Sequence, residues 1–189
     1  MPAEARFRDT PIRYGRVTRA MHAVTAVLVL WQFMIVALYK IFGETPLLNA
    51  VASLGPHGYV GIAIPLFALA RILWAVGNAG RRPVPAPGRA GAAAAVAHKA
   101  MYGLMLLIPG LALARLWAKG EGWSVGGVEI FAVGAPVPLV VAAADLLHGP
   151  LSWFLLALVG AHAAAAVLHH AVWRDGTAGR MIGAPATLR

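Results

Sequence analysis

The 189-residue chain has no cysteine, only seven acidic residues, and 12% charged residues in all. Without cysteine there can be no disulfide, no covalent c-type haem attachment and no cysteine-held iron–sulfur cluster. Charge this sparse falls well short of the quarter or so that soluble domains carry, which removes the chain from that class. Strand-like alternation over ten-residue segments is also missing, so a membrane β-barrel is not expected. What remains is a chain that is 60% hydrophobic, with a mean hydropathy of +0.72. It reads as an integral membrane protein built from helices.

Four apolar stretches approach or exceed the roughly 20 residues needed to cross about 30 Å of hydrocarbon. They cover about 20–42, 57–76, 96–117 and 146–173, and predict one all-α domain over 1–189, an integral membrane four-helix bundle. A basic leader precedes the first span, as in a signal peptide, but its apolar core is long and no small-residue cleavage site follows, so the span is read as retained. Arg71 interrupts the second span, and Pro109 predicts a kink in the third. Residues 118–145 are apolar in part but short of a crossing and broken by Pro136 and Pro138. They read as an interfacial or partly re-entrant loop.

Basic residues fix the orientation. Arg6, Arg8, Arg13, Arg16 and Arg19 precede the first span, Arg81, Arg82 and Arg89 follow the second, and Arg174, Arg180 and Arg189 follow the fourth. The opposite loops hold little more than Lys40, Arg115 and Lys119. The excess of positive charge on the inner side puts both termini in the cytoplasm, in a multi-pass protein of the bacterial inner membrane. The net charge of +9 is then explained by anionic lipid headgroups, and no nucleic-acid partner is expected.

Seven histidines stand out against this background. His148 and His162 are 14 residues apart on one predicted helix, nearly four full turns, so both imidazoles share a face about 21 Å apart along the axis. His22, on the first helix, matches the depth of His162 near the cytoplasmic side. His57 opens the second helix at the outer side, at the level of His148. Topology therefore pairs His22 with His162 and His57 with His148. Ionisable groups inside a membrane are costly and usually functional. Two imidazoles on facing helices suit the axial positions of haem iron, whereas zinc would want about four ligands close together. The competing reading of a single intramembrane histidine is a plain hydrogen bond across a helix interface.

The segments RYGRVTRAMH, HGYVGIAIPLFALARILW, HKAMYGLMLLIPGLAL and HGPLSWFLLALVGAHAAAAVLHHAVWRDGTAGRM resemble successive signatures of the prokaryotic cytochrome b561 family over nearly the whole chain. The resemblance implies a four-helix membrane protein with two b haems and puts His22, His57, His148 and His162 at the four iron-ligand positions. One departure is visible: many relatives have tryptophan after the first ligand, where this chain has Ala23. The implied function is electron transfer through two bis-histidine b haems to or from membrane quinone such as ubiquinone. Within the family this leaves a stand-alone superoxide:ubiquinone oxidoreductase or a cytochrome b subunit of a hydrogenase or other dehydrogenase partner. A haem-free membrane scaffold or transporter is the remaining rival.

Other residues take supporting expectations. Arg71, 14 residues beyond His57, is a candidate partner for a haem carboxylate because a guanidinium can bind one through two parallel hydrogen bonds. Arg16 and Arg19 could do the same, though positive-inside anchoring explains them. His98 is read as an interfacial or supporting residue because no unpaired histidine faces it. His169 and His170, near cytoplasmic water, form a possible quinone site as hydrogen-bond or proton donors. Trp31, Trp74, Trp117, Trp153 and Trp173 are read as interfacial anchors, and Gly58, Gly61 and Gly160 as points where a helix or a porphyrin can approach closely. Lys119 and Arg115 could attract an anion such as superoxide from the outer face.

Overall fold

The computed structural model describes residues 7–84 and 86–182, so Arg6 and Arg189 lie outside the described residues. Four helices are long and apolar enough to cross a membrane. The order is α1 (Arg16–Phe42), a short α2 (Pro46–Ser53), α3 (His57–Gly77), a 3₁₀ turn (Ala79–Arg81), α4 (Gly88–Ala118), strands β1 (Glu121–Val125) and β2 (Val128–Val133), α5 (Pro138–Val167), a π-helical turn (Leu168–Trp173) and α6 (Thr177–Ile182). Helix starts follow local chemistry. Thr45 accepts a hydrogen bond from the Leu48 N–H, with Pro46 in the first helical position, where its missing N–H costs nothing.

Residues 118–145 are not the loop expected from sequence. They form an antiparallel hairpin and then the first two turns of α5, which begins at Pro138 rather than near Leu146. Val125 pairs with Val128, so the turn is the dipeptide Gly126-Gly127, with φ +56° and +82°. Positive φ at both positions is what a two-residue hairpin turn needs, and glycine supplies it without strain. Pro138 is a helix start, not a breaker, since proline is pre-shaped for the first turn. The expected kink residue Pro109 lies inside an α4 that runs unbroken from Gly88 to Ala118.

The core is a seam between α1, α3, α4 and α5, built from Val29, Val60, Ile64, Ala68, Met101, Leu104 and Leu155. Outside the seam, Leu30, Leu69, Leu73 and Val167 stand exposed. Apolar surface of this extent would be an association hazard in water, but against lipid tails it carries no penalty. Packing is uneven around the bundle. Helix α5 packs closely on α4, α4 on α3 and α3 on α1, whereas α5 does not pack closely on α1 or α3.

One end of the bundle gathers basic chain segments. Buried Asp9 pairs with Arg82 at 3.2 Å and accepts hydrogen bonds from the Gly15 N–H at 2.8 Å and the Thr18 hydroxyl at 2.6 Å. The Thr18 oxygen accepts in turn from the Trp74 indole at 2.9 Å. The Tyr14 N–H donates to the Arg180 carbonyl, Arg180 donates to the Val84 carbonyl and Arg19 to the Ile182 carbonyl. The segment before α1, the α3–α4 connection and α6 thus close one face together.

Candidate metal centres

Where α5 stands away from α1 and α3, histidines face each other. His22 of α1 and His162 of α5 have ring centroids 6.2 Å apart. His57 of α3 and His148 of α5 are 6.4 Å apart. Two imidazoles on opposite sides of one metal, each bonded at about 2.0–2.1 Å through a ring nitrogen, have centroids roughly 6 Å apart. The spacing of both pairs therefore suits one metal ion between two trans imidazoles. Among the described residues, no three His, Asp or Glu side chains converge as a metal-binding group; two opposed pairs are present, with His98 beside His162 of one of them.

The surroundings favour a flat apolar group around that metal. A cavity of about 390 Å³ is lined by His57, His148, Gly58, Gly61, Trp123 and Lys40 among mostly aliphatic neighbours, within the roughly 300–1,000 Å³ range of small-molecule sites. A Cβ on Gly58 or Gly149 would meet nothing within 4 Å, and one on Gly61 only the Gln32 amide nitrogen at 3.4 Å. Gly160 likewise faces open space. Of the two expectations for Gly58, Gly61 and Gly160, close approach of a helix or of a porphyrin, the open space before them leaves room for the second, and Gly58 and Gly61 line the cavity. At His57 and His148 the donor set, two imidazoles in an apolar slot, fits haem iron.

Neighbouring groups orient the rings. The Nδ1 of His148 lies 3.2 Å from the Ile108 carbonyl, an acceptor, so Nδ1 carries the proton and Nε2 is left to ligate. Gln32 donates to the His57 carbonyl at 3.0 Å, holding the first turn of α3. At the other pair, an Arg71 nitrogen is 3.2 Å from His22 Nδ1, and its guanidinium lies 5.1 Å from the Tyr102 ring centroid. Arg71 is therefore beside the His22/His162 pair.

Some placements differ from expectation. His98, for which no unpaired histidine was expected opposite, has its ring 5.1 Å from that of the paired His162. Sequence reasoning had no pairwise signal for this contact. Arg115 pairs with Asp145 and Lys119 with Glu121, so the two expected anion attractors already have acidic partners, brought to them by α5 and β1. His169 and His170 part company: His169 Nδ1 is 2.6 Å from Asp175 and its ring 4.6 Å from that of Trp173, while His170 is exposed. Asp175, missed in the sequence reading, also accepts from the Thr177 N–H; desolvation pushes its carboxyl up, but the Thr177 and His169 hydrogen bonds outweigh this and hold it below its ordinary value. Trp31 and Trp74 are not simple surface anchors, since their indoles donate to the Gly55 carbonyl and the Thr18 hydroxyl.

A family model described as prokaryotic cytochrome b561 matches residues 13–184. The chain belongs to the prokaryotic cytochrome b561 family. The chain is 29% identical over 188 residues to "Cytochrome b561 homolog 2" of Escherichia coli K12, covering 94% of this chain and 95% of that protein. It is also 33% identical over 130 residues to "Probable superoxide oxidase CybB" of Yersinia pestis, covering 67% of this chain and 72% of the relative. Cytochrome b561 proteins bind haem b and transfer electrons in membranes, and the four spanning helices agree with a multi-pass protein of the inner membrane. The haem-free scaffold or transporter loses its support here.

Proposed function

We propose that this cytochrome b561 carries electrons across the inner membrane through two b haems, one held by His22 and His162 and the other by His57 and His148, with membrane quinone as a reaction partner. The observation that carries this reading is the pair of facing-imidazole gaps of 6.2 and 6.4 Å between helices that do not pack closely. Haem supplies a one-electron couple at each level, and the protein tunes it. His148, anchored to the Ile108 carbonyl, keeps a fixed ring orientation, and aliphatic side chains of α4 line the gap. Arg71 offers donors to an acidic side arm of the porphyrin at the His22 level. The basic end faces the cytoplasm, with both termini there. At that end, Asp175 orients His169, whose imidazole can give or take a proton at a quinone oxygen, and exposed His170 stands beside it. The likeness to a probable superoxide oxidase favours a stand-alone enzyme passing electrons from superoxide to quinone.

The test is pyridine haemochrome analysis of purified protein. Two b haems per chain are expected. Replacing His22 or His162 with Ala should remove one haem, and replacing His57 or His148 should remove the other. A single haem per wild-type chain, or haem content indifferent to these substitutions, would refute the assignment. A mild-detergent pull-down that returns a stoichiometric dehydrogenase would replace the stand-alone reading with that of a cytochrome subunit.

A further inference from the structure

The cavity at His57 and His148 has a charge pattern that the ligand assignment does not use. Its lining is apolar apart from those two imidazoles, Gln32, Ser152, the Trp123 and Trp153 indoles and one cation, Lys40, and it includes no carboxylate. Lys40 lies in the last turn of α1 and is exposed. Its ammonium stands 5.4 Å from the ring centroid of Trp153, another residue of the same lining. A cation over an indole face is held by the ring quadrupole, so the charge is kept at the mouth of the cavity. The neighbouring basic residues of this end, Arg115 and Lys119, are paired with Asp145 and Glu121.

A haem has the complementary shape: an apolar macrocycle with acidic arms on one edge. Resting on the two-haem reading above, we infer that Lys40 is the positioning cation of the outer haem, receiving one of its carboxylates at the cavity mouth, as Arg71 is placed to do at the His22 level. A lysine here acts as a point charge on a flexible stem, able to swing from Trp153 to a carboxylate. The bound cation opposes the charge gained when iron is oxidised and so favours the ferrous state.

The experiment compares Lys40→Met, Lys40→Arg and, as a same-side control, Lys119→Met by haem content and by equilibrium redox titration of the two centres. The outer centre is identified as the one lost in His57→Ala. In Lys40→Met the ferrous-to-ferric ratio of the outer centre at fixed poise should fall about threefold to tenfold, at 59 mV per tenfold for one electron. The inner centre and Lys119→Met should stay at wild-type values, and Lys40→Arg should restore most of the shift. Loss of the outer haem in Lys40→Met with retention in Lys40→Arg also supports the inference. An unchanged outer potential overturns it; if reduction by an anionic donor nevertheless slows, Lys40 serves incoming anions instead. A wild type with no haem at the outer level overturns the two-haem reading, and a normal wild type with an indifferent Lys40 overturns this inference alone.

Discussion

Arg71 shows how one side chain can be read in sequence yet explained only by its neighbours. Its spacing from His57 put it at the depth of His22, and the fold sets a guanidinium nitrogen 3.2 Å from that ring and the guanidinium over Tyr102. Removing this cation should make the inner iron easier to oxidise. Arg71→Leu is expected to lower the inner centre's potential, and Arg71→Lys to lower it less, because lysine keeps the charge but not the two-pronged donor geometry; spectropotentiometry reads both. At the outer level Gly61 is the sensitive residue. A leucine there has open cavity in front of it beyond the Gln32 amide and would occupy the space assigned to the macrocycle. Gly61→Leu should lose the outer haem while keeping the inner one, an outcome visible as one haem per chain.

Among the elements, the hairpin and the π-helical turn are where sequence reasoning fell short. Apolar length identifies spanning helices because the bilayer imposes it, but it is blind to a hairpin of five- and six-residue strands. The signal was present in Gly126-Gly127 between WSV and VEIF, a turn dipeptide flanked by strand formers. Pro136 and Pro138, which follow the second strand, give the whole segment the composition of a loop. The π turn at Leu168–Trp173 has no simple pattern; such turns arise where one extra residue is accommodated in a helix, often at functional sites. Its consequence is the His169–Asp175 contact. Because the Asp175 carboxyl is held below its ordinary value of 3.8, its contribution is present above that value and is lost as the pH falls through the depressed one. The protection factor of the Thr177 amide, its exchange relative to an unstructured peptide at the same pH, should fall in that acid range, and Asp175→Asn should remove that fall.

For the whole molecule, the two proposed haem sites would make a conductor only if electrons entered at one face and left at the other. With the protein in detergent and ubiquinone absent, superoxide should reduce haem faster than the spontaneous background in stopped-flow experiments; reduction no faster than background would exclude the superoxide oxidase reading. Adding quinone should then reoxidise the haem, more slowly in His169→Gln than in wild type. The sequence by itself determined the membrane class, the four helices long enough to cross, and the family, since the bilayer ties hydropathy to length. Only the tertiary structure decided which sides of the bundle stay apart, how His98 comes to His162, that Arg115 and Lys119 meet acidic partners, and that Lys40 lines a cavity beside Trp153. Those are relations between elements distant in the chain, and a one-dimensional pattern holds depth but not the lateral arrangement of helices.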